Sequence, residues 1–90
     1  IVSERSYSTS MWTLPGNSPH CYAVWVDPAD KVWLSEWTAN AVVRFDPVTE
    51  KFESFPSSRS GANVRQMLGR SGELWGAESG NSRLVMIPAR

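Results

Sequence analysis

An internal repeat is the feature of this sequence that most restricts what it can fold into. Trp33 and Trp75 stand 42 residues apart, and Glu36 with Glu78, Val32 with Leu74, Val43 with Val85 and Phe45 with Ile87 keep that spacing. Val32-Trp33-Leu34-Ser35-Glu36 thus matches Leu74-Trp75-Gly76-Ala77-Glu78, and the same spacing pairs Val26 with Leu68. Leu14-Pro15 and Phe55-Pro56 repeat one residue short of it, at 41. A period of about 40–45 residues divided into short strands is the signature of a propeller blade. A four-stranded blade has two faces that it cannot cover alone, so each blade packs on the next around a central channel, and closure takes at least about four. Ninety residues supply about two blades.

Apolar runs bounded by turn formers place strands at 11–14, 21–26, 31–36, 41–45, 51–55, 63–68, 73–77 and 83–87. Cys21 to Val26 is a continuous apolar run, the mark of a buried strand, and Asp27-Pro28-Ala29-Asp30 closes it. Lys51-Phe52-Glu53-Ser54-Phe55 alternates with a period of two, which suits an outer strand with one wet face. No segment sustains a 3.6-residue apolar period between helix caps. The fold class expected is all-β: about two four-stranded antiparallel blades. Residues 1–10 are a tail or the stub of a preceding blade, 11–14 its outer strand, 20–55 one blade, and 63–88 a second, incomplete blade. Trp33 and Trp75 are expected buried at equivalent positions between blades.

Nine Lys and Arg balance nine Asp and Glu, so the chain lacks the basic surplus that releases counterions on nucleic acid or anionic membrane. Its longest charge-free stretch is broken by Pro15, Gly16, Asn17, Pro19 and His20, which leaves no helix able to span a bilayer. One Cys, one His and no Cys-x-x-Cys exclude an intramolecular disulfide and a Cys/His zinc site. Cys21 is expected to be a small core residue. The chain begins at Ile1, and a cytoplasmic, periplasmic or secreted location all stay open.

Ser18-Pro19-His20 before an apolar strand, Val26-Asp27-Pro28, the run from Val32 to Asn40, and Val43-Arg44-Phe45-Asp46-Pro47 together resemble the streptogramin B (virginiamycin B) lyase family. The family's blade reads as Pro-His or Pro-Tyr entering a strand, Asp-Pro, an aliphatic-Trp-Phe-Thr-Glu strand, then Asn and Arg-x-Asp. The resemblance covers roughly residues 11–88. It implies a seven-bladed propeller, a bacterial antibiotic-resistance activity, and the opening of cyclic depsipeptides at their ester by elimination. By the same resemblance His20 is the general base, while Glu36 and Glu78, at the Trp-x-x-Glu position of their blades, hold Mg²⁺ at the channel mouth. All three are then expected at one end of the sheets. The residues 42 beyond Pro19 and His20 are Gly61 and Ala62, so the second blade lacks the Pro-His.

Plainer roles compete for each of these residues. His20 also suits a solvent-facing loop, Glu36 and Glu78 suit turn caps, Asn40 suits a side-chain bond within its turn, and Asp27 and Asp46 suit turn starters. Arg44 is placed to pair with Glu53 or Asp46, and Arg44 and Arg65 could also grip an anionic substrate. Three functions follow: a lyase-type propeller with Mg²⁺, a non-catalytic propeller that binds a small cyclic peptide or ester, a sugar or an envelope component, and a structural piece without independent function. The partners expected are the remaining blades or further copies of the chain, because two blades leave apolar faces uncovered.

Overall fold

The computed structural model describes residues 9–88. Seven strands form: β1 Cys21–Val26, β2 Val32–Glu36, β3 Ala41–Asp46, β4 Lys51–Pro56, β5 Val64–Arg70, β6 Glu73–Glu78 and β7 Arg83–Pro88. They make two antiparallel meanders, β1-β2-β3-β4 and β5-β6-β7, and the described residues contain no helix. Short turns make this order the cheap one, and left-handed residues close them: Asp30 at φ 63° and Gly72 at 87°, Asn40 at 56° and Ser82 at 54°. Each pair lies 42 residues apart, so turn geometry repeats along with the strands.

The repeat is not uniform. Val32 faces Phe45 and Leu74 faces Ile87, which keeps the spacing of 42 across β2–β3 and β6–β7. Trp25, however, faces Trp33 while Leu68 faces Trp75, so β1 and β5 are related by 43. The cause is the turn. Val26 and Val32 pair across five residues, whereas Gly69 and Leu74 pair across four. Val26 therefore corresponds to Gly69, and the sequence pairing of Val26 with Leu68 is corrected by one residue.

The two sheets pack face to face over Trp33, Val42, Val64, Met67, Leu74 and Ile87, with Ala23, Trp25, Phe55 and Val85 at the margin. The Trp25 ring lies over Gly69, where a Cβ would stand 2.3 Å from its Cη2 atom. Only glycine fits beneath that indole. Trp33 is 0% exposed, and its indole N–H donates to Asp27 Oδ2 at 2.8 Å. Trp75 occupies the same place in its own sheet, with its N–H donated to Glu73 Oε1 at 3.0 Å, yet it is 39% exposed. The expectation that both would be buried thus fails for Trp75. The second sheet covers the face that carries Trp33, and no sheet among the described residues covers the face shared by Leu68, Trp75, Leu84 and Met86.

Two further expectations change. Residues 11–14 form no strand: Trp12 leaves the sheet edges and lies on Phe45 at 5.1 Å between ring centroids, with its N–H donated to Glu50 Oε1 at 3.0 Å. An apolar face takes up this segment instead of a ladder. The apolar run of β1 is not buried, since Tyr22, Val24 and Val26 are exposed, and Cys21 is exposed as well. The second sheet keeps, among the described residues, the three strands expected near 63–68, 73–77 and 83–87. Residues 1–8 of the expected tail lie outside the described residues.

Candidate functional site

The start of β1 and the end of β2 meet at one end of the first sheet because antiparallel neighbours run opposite ways. There the Trp37 backbone N–H donates to His20 O at 2.8 Å. In the second sheet the Ser79 N–H donates to Asn63 O at 3.3 Å. The repeat counterpart of His20 is therefore Asn63, and the sequence alignment of His20 with Ala62 is corrected by the same one-residue slip. The Pro-His is absent from the second sheet on either alignment.

Glu36 is buried at the foot of His20. Its Oε1 accepts the His20 backbone N–H at 2.7 Å, and its Oε2 accepts the N–H of Ala39. One carboxylate thus satisfies two donors that the end of β2 leaves without ladder partners. Glu78, also buried, accepts the Asn81 side-chain N–H at 3.3 Å. His20, Glu36 and Glu78 lie at the same end of their sheets, with His20 and Glu36 in direct contact and Glu78 in the neighbouring blade. Mg²⁺ needs about six oxygen ligands. Both Glu36 oxygens are held by backbone N–H groups, and the described residues contain no cluster of three His, Cys, Asp or Glu side chains with metal-binding geometry. Among the described residues these two carboxylates do not by themselves complete the shell of a magnesium ion.

Next to these carboxylates a cleft of about 550 Å³ opens, lined by His20, Cys21, Tyr22, Trp37, Thr38 and Asn63. A bulge shapes it. The register of β1 on β2 shifts between Cys21 and Val24, and that of β5 on β6 shifts at the corresponding place between Val64 and Met67. Bulges re-aim side chains and break the burial expected of a continuous apolar run. Cys21 and Tyr22 stand exposed at this bulge. The Tyr22 ring lies parallel to Trp37 at 4.7 Å with 7° between planes, and the Trp37 N–H donates to Val64 O at 2.9 Å. The Arg65 guanidinium lies 5.7 Å from the centre of the same indole.

The remaining candidates brace this end or the opposite one. Asn40 binds the link between the blades, its Nδ2 donating to Arg59 O at 2.6 Å and its Oδ1 accepting from Ala62 N–H at 2.9 Å. This reaches well beyond its own turn. Arg44 pairs with Glu53 as the sequence suggests, and its guanidinium lies 5.2 Å from the centre of the Trp33 ring. Asp27 does more than start a turn: burial pushes its carboxyl up, but donors from Trp33, Lys31 and Ala29 and the Lys31 charge outweigh that and hold it below the usual carboxylate range. Asp46 is lowered by the Val48 N–H, against partial desolvation, with help from Thr49 and Lys31. Sequence reading missed Tyr22, Trp37 and Asn63, since a bulge leaves no mark in an apolar run.

Two like antiparallel meanders stacked face to face, repeating every 42 to 43 residues, define consecutive blades of a β-propeller. The particular blades that these resemble are those of virginiamycin B lyase. No family model matches the chain, and no curated protein matches it. Among solved structures, selenomethionine-substituted virginiamycin B lyase from Staphylococcus aureus superposes with a TM-score of 0.62 at 19% identity, over 77% of this chain and 27% of that one. A catalytically inactive variant of virginiamycin B lyase from Staphylococcus aureus, with quinupristin, gives 0.68 at 18% over 87% and 30%. A streptogramin B lyase structure gives 0.64 at 20% over 87% and 28%. The chain has the blade fold of these propellers and spans 27% to 30% of their length.

Proposed function

We propose that these blades belong to a lyase-type propeller in which His20 is the general base for opening a cyclic depsipeptide at its ester. The observation that carries this reading is the setting of His20: its side chain is exposed at the cleft while its backbone N–H is tied to buried Glu36. A neutral imidazole can take a proton from carbon next to a carbonyl near neutral pH. The freed electron pair forms a carbon–carbon double bond, the bond from the β carbon to the ester oxygen breaks, and the carboxylate leaves. The ring opens without consuming water. Glu36 acts here as a positioning residue, because its oxygens hold backbone and do not face the cleft. The face of Leu68, Trp75, Leu84 and Met86 takes a further blade, as the Trp33 face does within the chain, supplied by the rest of the ring or by a second copy.

A second reading, binding without turnover, is favoured by Asn63, which puts an amide where a repeated imidazole would stand. The closed ring carrying these blades, given a cyclic depsipeptide, distinguishes the two. A linear product of unchanged mass with a new double bond, lost in His20→Gln, supports the base. Binding with no product in either protein supports the second reading, and no binding overturns both.

A further inference from the structure

We propose that Tyr22, Trp37 and Arg65 form a layered platform that recognises an aromatic side chain of the ligand; this rests on reading the cleft as a ligand site. Tyr22 and Arg65 are the residues just inside the two repeated bulges, 43 apart, the spacing that relates β1 to β5. Bulges at equivalent places in adjacent blades thus turn two side chains toward the single indole of Trp37. That indole cannot swing away, since its ring N–H is bound to Val64 O at 2.9 Å and its backbone N–H to His20 O at 2.8 Å. Tyr22 uses one ring face on Trp37 and remains 60% exposed. Its other face is therefore the open surface of the stack, beside the imidazole of His20 in the same cleft.

A large aromatic ring held flat, rigid and open is unusual for a residue with only packing to do, because burial is what makes such a ring stabilising. A ring fixed in advance loses little freedom when a second ring stacks on it. The Arg65 cation, 5.7 Å from the centre of the Trp37 ring, also polarises the stack. A planar aromatic group gains from this geometry beyond its buried area, while a saturated ring of the same bulk does not. The cleft of about 550 Å³ has room for one such ring with its adjoining peptide groups.

The test titrates the full chain with N-acetylphenylalanine amide and with N-acetylcyclohexylalanine amide, following the ring signals of Tyr22 and the indole N–H of Trp37 by NMR. The aromatic probe is expected to shift both signals and to bind about three- to tenfold more tightly than the saturated one. Tyr22→Phe should keep that preference and Tyr22→Leu should lose it, with each variant's thermal melt checked. Equal affinity of the two probes for the native chain, unmoved Tyr22 and Trp37 signals, or a preference that survives in a folded Tyr22→Leu would each overturn the platform. His20→Gln separates the proposals: it should abolish elimination and leave the aromatic preference intact. Turnover without aromatic preference defeats the platform alone, and preference without turnover defeats the lyase reading alone.

Discussion

Trp33 and Trp75 hold the same place in consecutive blades, so truncating each of them measures what a neighbouring blade contributes. A Trp side chain buries about 150–250 Å², which at about 25 cal/mol per Å² gives about 5 kcal/mol as an upper figure for complete burial. Trp33 is at that limit, with 0% exposure, and Trp→Ala changes in closed cores cost about 3–5 kcal/mol. Trp33→Ala also removes a donor from Asp27 and leaves it with the N–H groups of Ala29 and Lys31, each at 2.9 Å. Trp75 is 39% exposed, which scales the same area to about 3 kcal/mol, and an open face adds no cavity cost. Trp33→Ala should therefore destabilise the chain by about 2 kcal/mol more than Trp75→Ala, a factor of about thirty in the folding equilibrium. Urea unfolding of the two variants, compared at equal m-value, reads this difference directly. Equal costs would refute the argument that one indole is covered by a blade and the other is not.

Acidification should weaken the fold in a defined window. Asp27, Asp46 and Glu73 are all held below their ordinary values of 3.8 and 4.5, so their ionised forms stabilise the folded state. That stability is complete above those ordinary values and is lost as pH falls through the lowered folded ones, which denaturant midpoints between pH 6 and pH 2 would follow; a midpoint indifferent to pH below 4 contradicts it. Gly69→Ala should cost about 1–3 kcal/mol, because the new Cβ meets Trp25 at 2.3 Å and Glu73 O at 2.6 Å, and an unchanged melting temperature would show that the indole moves aside freely. Glu36→Ala leaves the N–H groups of His20 and Ala39 without their acceptor, at about 1–3 kcal/mol for each group that stays buried. Hydrogen exchange at those two amides should speed up, and unaltered protection would show that another acceptor serves them.

Strand order and sheet pairing were legible in the sequence because they depend on local signals. Asp27-Pro28-Ala29-Asp30 and Trp37-Thr38-Ala39-Asn40 are turns through their own residues, and the spacing of 42 from Trp33 to Trp75 requires two like sheets. Seven of the eight expected strands form near their expected bounds. The exception, 11–14, fails because a strand also needs an edge to pair with, and Trp12 finds the Phe45 ring instead. His20 and Glu36 were found at one end because strand direction alone brings the start of β1 to the end of β2.

Only the tertiary structure decided what those residues do there. A turn one residue shorter after β5 sets Asn63, not Ala62, opposite His20, and a slip that small is invisible when apolar residues align at either spacing. Two bulges turn Tyr22 and Arg65 to Trp37, since a bulge arises from how a ladder closes and not from the type of residue in it. The carboxylate of Glu36 meets backbone N–H groups that exist as free donors only once β2 has ended. The repeat thus determined that blades form and which ends coincide, while burial and hydrogen bonding across strands, which no single segment contains, divided the shared end into an anchored carboxylate and an open cleft.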